Sequence, residues 1–179
     1  VIKKILKRIS KILNRWYDHR MAGFDATWDH SAVAGPDQSF MLQCCLFLAR
    51  KYADPFDAMW YVWNTNGARG TADCSGFIVF LFRILRIFKR KEDYTCQGIS
   101  EMWPSIEQPK AGALVFYGSP KRATHVMLCL DNQWCIGATG GNSKCTTVKK
   151  AMEIDARVKI ELIKYRGDIK RYVWPWDSV

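Results

Sequence analysis

Over the first 17 positions apolar residues recur at spacings of three and four. Val1, Ile2, Ile5, Leu6, Ile9, Ile12, Leu13, Trp16 and Tyr17 form one stripe, with lysines and arginines on the opposite face. That pattern predicts an amphipathic helix. Residues 18–38 lose the period and carry Gly23, Gly35 and Pro36, which reads as a connector ending at Ser39 as a helix cap. From Phe40 to Tyr52 the chain is apolar almost throughout, as in a buried helix, and Pro55 stops it. A Gly-containing loop at 64–73 leads into a second apolar helix from Cys74 to about Phe88, and a short helix at 96–103 ends at Pro104. After Pro109 the period changes. ALVFYG (113–118), THVMLCL (124–130) and WCIGAT (134–139) are short β-rich runs separated by turn residues. Residues 147–156 read as a helix, 158–165 as an alternating strand and 171–175 as a last strand. Helices followed by an antiparallel meander predict an α+β fold, divided into a basic helical arm (1–20), a connector (21–38) and one domain (39–179).

Composition supports that division. The 179 residues are 49% hydrophobic, enough for a core without disulfides or metals. No apolar stretch reaches the ~20 residues of a membrane-spanning helix; the longest, Phe77 to Leu85, is interrupted by Arg83. Net charge is +10, of which +6 lies in residues 1–20. A basic chain favours anionic partners such as nucleic acid, membrane surface or wall polymers, and here the preference belongs mostly to the arm. Without zinc-finger spacing or an aromatic-and-basic RNA signature, no nucleic-acid partner is expected. The arm's apolar stripe either lies on a membrane or wall surface or docks on this protein or a partner. Lysines interrupt every run that could serve as a secretory signal, so synthesis in a reducing cytoplasm is expected.

Seven cysteines cannot all pair, and they include no C-x-x-C, while His19, His30 and His125 lack metal-ligand spacing. No metal is expected. One cysteine stands apart. Cys74 begins a helix after Asp73, where the helix dipole and free N–H groups favour thiolate, and Gly76 permits close approach of another backbone. Among the histidines, His125 alone begins a predicted sheet strand, from which a rigid scaffold can present a base to the thiol.

The chain resembles the NlpC-type papain-like cysteine peptidases of bacterial cell walls. DCSGF (73–77) matches the family's nucleophile motif, and YVWNTNG (61–67) is similar to its Tyr-x-Trp-Gly-Gly element. GALVFYG followed by THVMLCLDNQWCIGA resembles its strand, His-strand and strand block, and ARVKIELIKYRGDI (156–169) resembles the closing segment of phage- and prophage-encoded members. The resemblance covers roughly residues 40–175. It implies a papain-like fold, no cofactor, and cleavage of the γ-D-glutamyl–diamino acid bond of peptidoglycan stem peptides, with Cys74 as nucleophile and His125 as base and then acid. By the same resemblance Tyr61 donates its hydroxyl to the oxyanion, unless it is only a core aromatic. Trp63 belongs to the substrate side, and Asp73 and Ser75 shape the pocket for the substrate's amine or cap the helix.

Three positions depart from the family pattern. Gly137 stands where many relatives carry a polar residue, often His, that orients the imidazole; Thr139, Asn142 or a backbone carbonyl are the local substitutes. Asn64 replaces a Gly, and Ala113 replaces the usual Asp before Leu-Val-Phe. The expected function is a phage or prophage peptidoglycan endopeptidase, attached through residues 1–20 to virion or tail proteins or to the envelope, and acting at the wall. The alternatives are a catalytically inactive virion or wall-binding protein on the same fold, and an amidase or acyltransferase of a related scaffold.

Overall fold

A computed structural model describes residues 38–178. The arm expected over 1–20, and all of the connector but its last residue, lie outside the described residues. The first described helix, α1 (Gln38–Ala53), buries Met41, Cys45, Leu46, Leu48 and Ala49 and leaves Phe47 exposed. Ser39, expected as its cap, lies within it. Helix α2 (Cys74–Ile84) is buried on nearly every side through Phe77, Ile78, Val79, Leu81 and Phe82, each worth about 1.5–3 kcal/mol relative to exposure. It ends four residues earlier than expected, because Leu85 caps it and Arg86 turns into the left-handed region at φ 61°. The short helices α3 (Cys96–Ser100) and α4 (Val148–Glu153) are capped by the hydroxyls of Thr95 and Thr147.

Six strands form, five of them at the runs read from the sequence and one, β1, unforeseen: β1 (Ser105–Ile106), β2 (Leu114–Ser119), β3 (Arg122–Cys129), β4 (Trp134–Thr139), β5 (Arg157–Leu162) and β6 (Ile169–Val173). They form one antiparallel sheet in the order β1-β6-β2-β3-β4-β5. The expected meander therefore covers β2 to β5 only. The last strand returns to the far side of β2, and the two-residue β1, too short for a periodic signal, attaches beyond it.

One sheet face carries Val115, Tyr117, Met127, Cys129 and Cys135, covered by Ile106, Ile169, Tyr172 and Trp174. The opposite face, on alternate residues, receives α2 against β3 and β4 and α1 against β4 and β5. Phe82 gathers Phe88, Trp103 and Trp176 edge-on at 5.3–5.9 Å, and Trp176 Nε1 donates to Gly112 O at 2.9 Å, closing the C-terminal turn onto the start of β2. In the middle of the sheet β2 is bulged. Its register shifts between Tyr117 and Gly118 against β3 and between Phe116 and Tyr117 against β6. Gly118, at φ 142°, is required there, since a Cβ would lie 2.3 Å from Arg122 O. Bulges of this kind re-aim side chains, and this one sits beside the Tyr117–His125 pair. No helix among the described residues is long and apolar enough to cross a membrane.

Candidate active site

The segment before α2 folds around the helix start. Asp73 accepts the Gly76 N–H at 2.8 Å and the Ser75 hydroxyl at 3.1 Å on Oδ1, and the Asn64 N–H at 2.9 Å on Oδ2. Its own N–H donates to Thr65 O at 3.0 Å. Both carboxylate oxygens are thus engaged, and of the two readings of Asp73 the geometry displays the cap. Thr65 O presses so closely on the helix that a Cβ at residue 76 would meet it at 1.9 Å. Asn64 reaches φ 60°, a conformation that glycine adopts at lower cost.

Cys74 occupies the first turn of α2 with 6% exposure. Strand β3 pairs with β4 only at Leu128–Ile136 and Cys129–Cys135, so nearer its start that edge is open and the tip of α2 meets it. The Thr124 carbonyl lies 4.0 Å from Cys74 Sγ, and the N–H groups of Val126, Ser75 and Cys74 itself favour a charged sulfur. His125 is therefore held between the two residues whose backbone meets the nucleophile. Its ring shares the sheet face of Tyr117, with centroids 5.7 Å apart.

The electrostatics differ from the expected thiolate. Burial, and then the Asp73 carboxylate, push the Cys74 thiol up to about 11, outweighing the N–H groups. Burial, and then the Arg166 guanidinium, push His125 down to about 4 against the opposing Asp168. Thiol and imidazole are both neutral at rest. Desolvation exceeds the helix-end effect because a residue only 6% exposed has lost nearly all its water.

A groove of about 350 Å³ is lined by Cys74 together with Trp63, Asp73, Ser75, Asp93, Cys96 and Arg122 among others. Trp63 is half-exposed at its wall, anchored by its N–H to Cys145 O at 2.8 Å. Tyr61 lies deeper, 3% exposed, with Gly141 flat on its ring. Burial and then the neighbouring Cys74 and Asp73 push its hydroxyl upward, so it stays protonated. Asp93, Cys96 and Arg122 were not marked by the sequence. Asp93 and Arg122 read as ordinary surface charges until the fold faces them into one groove.

The two side chains expected to orient the imidazole do not do so. His125 Nε2 is buried without a hydrogen-bond partner. Thr139, paired with Arg157 in the sheet, turns its hydroxyl to Tyr165. Asn142 Oδ1 accepts the Lys144 N–H at 2.8 Å and shapes the loop that carries Cys145. At Gly137 a Cβ would lie 2.9 Å from Met127 Cγ, so Met127 fills the space a side chain would need. All seven cysteines are free, and no group of three or more His, Cys, Asp or Glu side chains among the described residues is arranged to hold a metal ion.

A thiol at a helix start, with a histidine on the strand it touches, is the arrangement the sequence motif implied, and the NlpC/P60 family model matches residues 58–161, more than half of the chain. The chain belongs to the NlpC/P60 family. Three solved structures are similar to this NlpC/P60 chain. The NlpC/p60 domain of the peptidoglycan hydrolase SagA is 23% identical, with a TM-score of 0.51 over 74% of this chain and 97% of that one. A Staphylococcus aureus protein described as similar to lipoprotein, NLP/P60 family, is 16% identical, with a TM-score of 0.56 over 84% of this chain and 44% of that one. NlpC1 from Trichomonas vaginalis is 17% identical, with a TM-score of 0.56 over 84% and 48%. This chain thus spans less than half of the latter two. At these identities the likeness is one of fold, and it bears out the papain-like α+β class. No curated protein matches the chain. Members of the NlpC/P60 family are peptidoglycan hydrolases.

Proposed function

We propose that this chain is a cysteine endopeptidase that cuts the γ-D-glutamyl–diamino acid bond of peptidoglycan stem peptides. The observation that carries the reading is Cys74 in the lining of the groove, its sulfur against the backbone of the strand residues on either side of His125. Because thiol and imidazole rest neutral, proton transfer from Sγ to the imidazole accompanies attack on the carbonyl, rather than preceding it as in a preformed ion pair. The imidazolium then protonates the departing amine. The N–H groups around the helix start and the Tyr61 hydroxyl are the donors for the oxyanion, each worth about 100–1,000-fold in rate. Ser75 and Trp63 lie where the stem peptide would run. The narrower setting, a phage or prophage enzyme attached to a virion or to the envelope through residues 1–20, rests on the closing segment 156–169 and the cationic arm.

Purified sacculi and γ-D-glutamyl–diamino acid peptides test the chemistry. Wild type releases new amino termini and Cys74→Ala releases none; equal cleavage by both removes Cys74 from the mechanism. A second reading, a wall-binding protein without turnover, is favoured by the neutral thiol and the unpartnered His125 Nε2. Sacculus binding without any product from wild type would select it. Product masses separate an endopeptidase from an amidase or acyltransferase.

A further inference from the structure

An imidazole that gains and loses charge in a reaction needs something to hold its ring and balance that charge. Around His125 the usual sources are spent. Nε2 has no partner, residue 137 has no side chain and Met127 covers it. The Tyr117 hydroxyl is committed to Ile163 O at 2.9 Å, and that of Thr139 faces Tyr165.

A charged layer lies one residue away instead. The register aligns Ile169, Tyr117 and His125 in one row across β6, β2 and β3. The Arg166 guanidinium sits 5.3 Å from the centroid of the Tyr117 ring, the same ring that packs on His125. Arg166 Nε and Nη2 grip Asp168 Oδ1 and Oδ2 at 2.8 and 2.5 Å. The Asp168 carbonyl accepts the Gly118 N–H at 2.9 Å, which fastens this pair to the bulge beside His125. The titratable groups that act on or pack against the imidazole are Tyr117 from β2, Arg166 from the turn after β5, and Asp168 before β6. Only Arg166 and Asp168 among them are charged at neutral pH, and they act on His125 with opposite signs.

We propose that the Arg166–Asp168 ion pair is the positioning group of His125, doing through Tyr117 and through its field what a side chain at residue 137 does by direct contact. The inference rests on the Cys74–His125 reading above. Arg166 adds to burial in keeping the imidazole free of a proton until substrate arrives. When the S–H bond of Cys74 breaks and an N–H bond forms on His125, Asp168 compensates the new positive charge.

Two single variants test this, because they predict opposite signs. The pair is partly exposed, so neither Arg166→Gln nor Asp168→Asn opens a core cavity. The titration of His125, followed by NMR, needs no turnover. It moves to higher pH in Arg166→Gln and to lower pH in Asp168→Asn, each by roughly 0.5–1 pH unit, and returns near wild type in the double variant. The acid limb of kcat/KM moves the same way, and Asp168→Asn lowers kcat about tenfold with little change in KM. Shifts of the same sign, or none, overturn the proposal. If wild type proves inactive on sacculi, the endopeptidase reading fails alone, while the titrations still decide whether the pair governs His125.

Discussion

Asp73 and Gly76 make the nucleophile's environment between them, one by three hydrogen bonds and the other by having no side chain. Gly76→Ala brings a methyl group against Thr65 O, a backbone atom that cannot step aside, so the loop at 64–66 must leave the helix. The expected result is at least a tenfold loss of cleavage and a Tm several degrees lower. Asp73→Asn keeps an acceptor for the cap but removes the charge that pushes the thiol upward. Iodoacetamide should then label Cys74 faster than in wild type at pH 8, whereas Asp73→Ala should cost about 1 kcal/mol through the lost cap. These residues were legible in the sequence because cap, thiol and glycine are neighbours along the chain. Arg166 and Asp168 were not. They lie some forty residues from His125, look like a surface pair in a turn, and gain their place only when β6 folds back beside β2. The neutral state of the thiol was illegible for a similar reason, since a local pattern displays the helix end and not the burial above it.

Elements fared unevenly, according to how much of each is decided locally. The helices from Gln38 and Cys74 and the strands β2 to β5 declare themselves by apolar runs and turn residues, and the structure places them within a few positions. Their ends depend on tertiary detail. Helix α2 was expected to continue to Phe88 because its residues stay apolar, yet Ile87 and Phe88 fold back, with their N–H groups on Phe82 O at 2.8 and 3.2 Å, once Arg86 takes a positive φ. Arg86→Gly should therefore raise stability by about 0.5–1 kcal/mol, read from the denaturant midpoint, since glycine adopts that conformation without a Cβ clash. An unchanged or lower midpoint would show that the arginine side chain contributes more than the backbone costs. The neighbour of β2 was equally hidden, because alternation says which residues form a strand and not where it pairs.

Across the whole molecule, buried titratable groups set a stability window. His125 titrates near 4 when folded and near 6.5 when free, so below 6.5 the unfolded chain binds more protons and stability falls as pH drops towards 4, by up to about 3 kcal/mol. Cys74 moves the other way, from 9.0 to about 11, and Cys45, Cys96, Cys129 and Cys135 are likewise pushed upward by burial. Their unfolded forms lose protons first, so stability declines as pH rises above 9. Thermal melts across pH 4 to 10.5 should peak between about 6.5 and 9; a maximum outside that range would mean that other charges dominate. The sheet order has a further effect, on biosynthesis. On a ribosome adding about 5–20 residues per second, the edge of β2 that receives β6 emerges several seconds before its partner, with bare N–H and C=O groups available to any nascent neighbour. The interval between those two strands is thus the moment of greatest aggregation hazard, and slower translation there would be expected to lower the yield of soluble chain.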